Sequence, residues 1–133
     1  MNEKAQRFMM LSGKHILIVE DDPHNVRVFE LVLKYSQAKT SVAMSAEDAL
    51  TMLERHNFDA VLIDLALPKM DGWGLLEAIR KYPPAASIPC VAVTAFGDST
   101  VEREAIAAGF DGYFAKPIDH QNFAADFAEF IKR

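Results

Sequence analysis

The sequence predicts an α/β domain built on a five-stranded parallel sheet. Short runs rich in apolar and β-branched residues recur at His15–Glu20, Ala60–Asp64, Pro89–Thr94 and Gly112–Ala115, with a weaker one at Thr40–Ser45. They are nearly continuous in apolar character, as strands are when both faces of a sheet are covered. The gaps between them carry apolar residues at helical spacing. A βαβαβαβαβα alternation of this kind requires right-handed crossovers above and below one parallel sheet.

Each element has its own local signal. After the first strand, Asp22 is placed to cap a helix with Pro23 in its first turn, and Val26, Phe29, Val32 and Leu33 form the inner stripe. Ser45, with Asp48 three residues on, resembles a capping box, and Ala49, Leu50 and Leu53 give the second helix its apolar face. Asp71-Gly72 reads as a turn. Leu75, Leu76 and Ile79 mark a third helix that ends before Pro83-Pro84. Cys90, inside the fourth strand, reads as a small buried hydrophobe. Val101, Ala105, Ile106 and Ala108 suggest a fourth helix stopped by Gly109. Phe123, Phe127, Phe130 and Ile131 make the core stripe of the last, and Trp73 is expected to pack near the third.

Length and composition limit what such a domain does. The 133 residues, half of them hydrophobic, suit one core. Residues 1–13, with the apolar patch Phe8-Met9-Met10-Leu11, are expected to form a mobile tail, leaving 14–133 as the domain. The net charge of −5 argues against a nucleic-acid partner, which needs clustered Lys and Arg. The one cysteine cannot form an intramolecular disulfide, which fits a reducing compartment. No apolar stretch approaches the roughly 20 residues that cross a bilayer, so the expected location is the cytoplasm, with no membrane partner. The opening Met and short tail favour a free-standing chain over a piece of a larger hybrid protein.

In a parallel sheet of this type, ligands bind beyond the carboxyl ends of the strands. The first strand ends in Glu20-Asp21-Asp22, the third in Asp64, the fourth in Thr94-Ala95 and the fifth leads into Lys116-Pro117. Two carboxylates about 4 Å apart at an effective dielectric of about 20 repel by about 4 kcal/mol, so something must offset them. A hard divalent cation with oxygen ligands does so, and the ammonium of Lys116 adds a second positive charge. A carboxylate facing a cation, a lysine and a hydroxyl is suited to attack phosphorus, because those groups neutralise the phosphoryl oxygens. Asp22 reads as a cap only, and His15, His24, His56 and His120 show no ligand spacing.

The motifs IVEDDP, VLIDLALPKMDG, VAVTA and YFAKPI, in this order and spacing, resemble the signature of bacterial response-regulator receiver domains over residues 14–133. The resemblance implies a flavodoxin-like three-layer fold with strand order 2-1-3-4-5. It implies that Asp64 is the phosphoacceptor, that Asp21 binds metal directly, and that Glu20 does so through a water. The backbone carbonyl of Ala66 is the third implied protein ligand, and the implied ion is Mg²⁺ or Mn²⁺. Lys116 would pair with Asp64 and then with the phosphoryl group, Thr94 would hydrogen-bond a phosphoryl oxygen, and Tyr113 would be the aromatic that turns inward as Thr94 moves. The Lys116-Pro117 bond is usually cis in this family. Phosphoryl lifetime is influenced in the family at the positions held here by Ala66 and Phe96. Neither side chain orients a water, and Phe96 is expected to shield the site.

The implied partners are a sensor histidine kinase or histidine phosphotransfer protein, met by the first helix around His24, Asn25 and Val28, and a downstream protein target. The chain would be a monomer or a weak dimer through the face of the fourth helix, fifth strand and fifth helix. It would be a phosphoacceptor, not a turnover enzyme. Two alternatives stay close to this one: an interaction module that needs no phosphate, and a receiver detached from a hybrid histidine kinase. A flavin carrier on the same fold would want a Ser/Thr/Gly-rich phosphate loop where Glu20-Asp21-Asp22 stands. An aspartyl-nucleophile phosphatase would want a second Asp where Ala66 stands.

Overall fold

A computed structural model describes residues 8–132. The elements run β1 (His15–Val19), α1 (Pro23–Tyr35), β2 (Lys39–Ala43), α2 (Ala46–Arg55), β3 (Ala60–Asp64), α3 (Gly72–Lys81), a 3₁₀ turn (Pro83–Ala85), β4 (Cys90–Thr94), α4 (Ser99–Ala108), β5 (Gly112–Ala115) and α5 (Phe123–Phe130). All five strands are parallel, in the order β2-β1-β3-β4-β5, the flavodoxin-like arrangement.

Side-chain alternation along the strands divides the interior into two cores. Leu17, Val19, Val61, Ile63, Cys90 and Ala92 point to the face covered by α2, α3 and α4, where they meet Ala49, Leu53, Leu75, Ile79 and Ala105. Ile16, Ile18, Leu62, Val91 and Val93 point the other way, onto Phe29 and Leu33 of α1 and Phe123 and Phe127 of α5. Strands β3 and β4 are buried along their whole length, which is why their sequences show no polar alternation.

The caps act largely where the sequence puts them. Asp22 Oδ1 accepts from the His24 amide at 3.0 Å, and Ser45 Oγ accepts from the Asp48 amide at 3.0 Å. Gly109 closes α4 at a φ of 115°, where a side chain is strained. Strand β2 ends at Ala43, not at residue 45, because Ser45 turns into its cap role. Trp73 packs edge-on against Phe110, beside α3 as expected, and Cys90 is buried.

Three expectations change. Leu11 is only 1 % exposed and packs with Ile16, Leu33 and Ile131, while its amide donates to the Ser36 carbonyl. Residues 8–13 are thus joined to the domain by the buried Leu11 and by the edge-on contact of Phe8 with Tyr35 of α1; residues 1–7 of the expected tail lie outside the described residues. Asp71-Gly72 is a helix start rather than a free turn: Asp71 Oδ1 accepts from the Gly74 amide at 2.9 Å and caps α3. Of the apolar residues expected to face inward from α4, Ala105 is buried and Val101 half-buried, but Ile106 and Ala108 are exposed.

Arg80 ties the opposite edge of the sheet together. Its guanidinium donates to the carbonyls of Ala86, Ile88 and Gly109 and to Asp111 Oδ2, holding the turn before β4 against the entry to β5.

Gly72 has a direct bearing on the sheet edge where the acids gather. A Cβ there would lie 2.6 Å from the Asp64 carbonyl oxygen and 2.7 Å from Leu65 Cα, both backbone atoms that cannot step aside. At Gly74 it would meet only the flexible Met70 side chain, at 3.2 Å, and Asp71 Oδ1, at 3.6 Å. Gly72→Ala is therefore expected to cost about 1–3 kcal/mol in urea unfolding. Gly74→Ala is expected to be neutral or stabilising by up to about 1 kcal/mol, since alanine is the better helix former.

Candidate functional site

Parallel topology delivers the carboxyl ends of β1, β3, β4 and β5 to one edge. Glu20 directly follows β1 and is held in line by its amide, which donates to the Ala43 carbonyl of β2. Asp64 is the last residue of the central strand β3. Thr94 ends β4, and Lys116 directly follows β5, its amide bonded to the Thr94 carbonyl at 3.0 Å. The Lys116-Pro117 peptide is cis.

Glu20, Asp64 and Thr94 are buried, at 1 %, 4 % and 4 % exposure, while Asp21 is exposed. Buried carboxylates need compensation by charge and by hydrogen bonds. Lys116 Nζ supplies both: it lies 2.7 Å from Glu20 Oε1 and 3.2 Å from Asp64 Oδ2. The remaining oxygens accept from backbone, Glu20 Oε2 from the Asp22 amide at 3.2 Å and Asp64 Oδ1 from the Ala66 amide at 3.0 Å.

One ammonium does not balance this set. Burial, reinforced by the neighbouring Asp64, pushes Glu20 up to about 7 against the pull of Lys116. Burial opposes the charge on Lys116, but the hydrogen bond it donates to Glu20 and the charge of Asp64 outweigh it and raise its pKa. One carboxylate oxygen from each of Glu20, Asp21 and Asp64 lies within 4.8 Å of the others. An all-oxygen, anionic donor set with unspent negative charge fits a hard divalent cation. Among the described residues this cluster holds no histidine or cysteine.

Thr94 Oγ1 accepts from the Phe96 amide at 3.2 Å, which leaves its own proton free to donate. Tyr113 is half-buried, and burial followed by the charges of Glu102 and Asp98 raises its pKa. The expected shield differs from what is found: Phe96 is 82 % exposed, so its ring is not packed down over the carboxylates. His24 is exposed beside the site and contributes its backbone amide to the Asp22 cap.

The structure therefore brings Glu20, Asp21, Asp64 and Lys116 into one cluster, with Thr94 at the same sheet edge. Sequence reading missed that Lys116 sits closer to Glu20 than to Asp64. It also missed Asp71-Gly72 as the cap that packs beneath the Asp64 carbonyl. A D-G pair directly before a helical apolar pattern is the signal that finds it.

Residues 16–128 match the response regulator receiver domain family, and the chain belongs to it. Among curated relatives it is 34 % identical to an uncharacterized 14.6 kDa protein of Leptolyngbya boryana, over 82 % of this chain and 83 % of that one. It is also 34 % identical to probable histidine kinase 6 of Oryza sativa subsp. japonica, covering 90 % of this chain but only 14 % of the kinase. Among solved structures it resembles the receiver domain of a sensor histidine kinase from Pseudomonas aeruginosa PAO1, which has a magnesium ion coordinated in its active-site cleft. The TM-score is 0.81 at 30 % identity, with 92 % of this chain and 100 % of that chain covered.

Replacing the ammonium isolates its role in charge balance. Lys116→Met leaves Glu20 and Asp64 buried without their cation and is expected to lower stability by about 3 kcal/mol in metal-free buffer at pH 8. Chemical unfolding with and without added Mg²⁺ checks this, the loss shrinking when the ion is present.

Proposed function

We propose that this receiver domain takes a phosphoryl group onto Asp64 from a phosphohistidine of a sensor kinase or histidine phosphotransfer protein. The observation that carries the reading is the buried Glu20–Lys116–Asp64 cluster at the carboxyl edge of the sheet, with Asp21 beside it. A carboxylate oxygen of Asp64 attacks phosphorus, the bond from phosphorus to the donor nitrogen breaks, and the electron pair leaves with the imidazole. The products are an acyl phosphate on Asp64 and a free histidine on the donor.

Each residue has a part in that exchange. Glu20, Asp21, Asp64 and the backbone carbonyl of Ala66 would hold Mg²⁺ or Mn²⁺, which when bound would supply positive charge opposite the phosphoryl oxygens. Lys116 follows the charge, turning from Asp64 to a phosphoryl oxygen. Thr94 donates its free hydroxyl proton to another. The Tyr113 hydroxyl is already buried without a phosphoryl group, where the resemblance implies a ring that turns inward only as Thr94 moves; the new bond draws Thr94 toward Asp64 and changes what the seated ring packs against, a local charge change biasing a two-state element. The face of α4, β5 and α5 then presents the altered surface to a downstream protein target, and α1 near His24, Asn25 and Val28 meets the donor. The chain works as a phosphoacceptor in the cytoplasm, as a monomer or a weak dimer through the α4-β5-α5 face. Among the described residues no helix is long and apolar enough to cross a membrane.

Two measurements test this. Treatment with acetyl phosphate and Mg²⁺ is expected to give one phosphoryl adduct by mass spectrometry, lost in Asp64→Asn and in the presence of a chelator. A wild type that never labels overturns the proposal and favours an interaction module that needs no phosphate. Because Ala66 and Phe96 offer no group to orient an attacking water, the adduct is expected to decay slowly. Ala66→Asn should shorten its lifetime severalfold, and equal lifetimes would remove that part of the reading.

A further inference from the structure

Tyr113 stands in the middle of β5, in register with Ala92 of β4, and packs on the core beneath α2, α3 and α4. Its hydroxyl is buried and, among the described residues, has no hydrogen-bond partner. The question is what admits a polar oxygen to a place where nothing bonds to it. The answer lies in the loop between β4 and α4. A Cβ built on Gly97 would overlap the Tyr113 hydroxyl outright, and would lie 2.8 Å from Tyr113 Cζ and 2.8 Å from Thr94 Cγ2.

The backbone does not explain the glycine. Gly13 and Gly109 are the glycines with positive φ among the described residues, and Gly97 is not one of them. Any residue could adopt its conformation, so what position 97 requires is empty volume. Nor does the loop need glycine to start the next helix, because Asp98 Oδ1 already caps α4 by accepting from the amides of Thr100 and Val101. The space that a side chain would fill is taken by the end of the tyrosine.

We propose that Gly97 is a positioning residue for Tyr113: its missing side chain forms the seat that holds the tyrosine hydroxyl under the β4-α4 loop, against the Thr94 methyl. The seat holds the ring by fit alone. A buried hydroxyl without a partner is disfavoured, so no polar bond anchors it and the balance between seated and expelled ring is open to a small steric change. One methyl group at position 97 therefore expels the ring. The functional consequence rests on the reading of Asp64 as phosphoacceptor: an expelled Tyr113 no longer follows Thr94, and the α4-β5-α5 face stops responding although Asp64 still accepts its group.

The test uses the full chain with tyrosine labelled by ¹³C at the ring ζ carbon. The three tyrosines, Tyr35, Tyr82 and Tyr113, give three signals, and Tyr113→Phe identifies the relevant one. In wild type the Tyr113 signal is expected to be protected from a soluble paramagnetic probe. In Gly97→Ala it is expected to be exposed, and to stay exposed when Mg²⁺ and beryllofluoride are added. Labelling of Asp64 by acetyl phosphate is expected to persist in that variant. Gly97→Ala/Thr94→Ser removes the Thr94 methyl but not the clash with the hydroxyl, and is expected to leave Tyr113 exposed. A folded Gly97→Ala in which Tyr113 remains as protected as in wild type overturns the proposal. If Gly97→Ala does not fold, Gly97→Ala/Thr94→Ser/Tyr113→Ala is expected to fold, because both groups that the new methyl meets are gone; a triple variant that also fails overturns the proposal. The comparison of Tyr113 signals without beryllofluoride decides the seat by itself, whereas a wild type that never labels at Asp64 would sink the phosphoacceptor reading and leave the seat intact.

Discussion

The site depends on one electrostatic constraint: carboxylates collected at the end of a buried sheet cannot stay charged without a cation among them. Lys116 meets that constraint from the far side of the sheet. It follows β5, yet its ammonium bonds Glu20 after β1 and Asp64 at the end of β3, a separation of 96 residues in the first case. To do so it reaches across the end of β4. Only a parallel sheet puts the four strand ends on the same edge, and only a long side chain spans them.

The geometry that Lys116 needs is fixed by the covering of the central strands on both faces. The central strands carry Asp64 and Thr94 at their ends and are buried along their length, so their backbone positions are set by two cores at once. Close packing of this kind moves little. Gly72 adds a further restraint, with the start of α3 seated directly on the Asp64 carbonyl. The nucleophile candidate is thus held from its own backbone, from the Ala66 amide and from Lys116, while the exposed Asp21 remains open to solvent.

Much of this was legible in the sequence, for definite reasons. Continuous apolar runs give buried strands, and Asp22-Pro23 and Ser45 announce helix starts through chemistry that acts within three or four residues. Strand-end acids and Lys116 were legible because topology sends them to one edge. What escaped depends on distances the chain order does not encode. Leu11 is a single apolar residue in a short patch, with no periodicity to show that it enters the core between α1 and α5. Asp71-Gly72 carries the same letters whether it makes a turn or caps a helix. Ile106 and Ala108 have helical spacing but stand on the outer side of α4, where apolar character does not mean burial. Gly97 shows its purpose only when Tyr113, sixteen positions on, is seen against it.

Glu20 shows how side-chain length sets the resting state of the site. A glutamate has one more methylene than an aspartate, and here its Oε1 comes within 2.7 Å of Lys116 Nζ while Asp64 stays at 3.2 Å. Both bonds are donated by the same ammonium, and it sits nearer Glu20 than Asp64, so Asp64 is the more distant of its two partners. A nucleophile tied by the shortest ion pair in its site must break that pair before it reacts. An acid that leaves the shorter bond to its neighbour does not, yet it keeps the ammonium close enough to swing onto a developing negative charge. In the proposed reaction Glu20 thus serves twice, as a member of the cation-binding set and as the post that parks Lys116 beside Asp64 rather than on it.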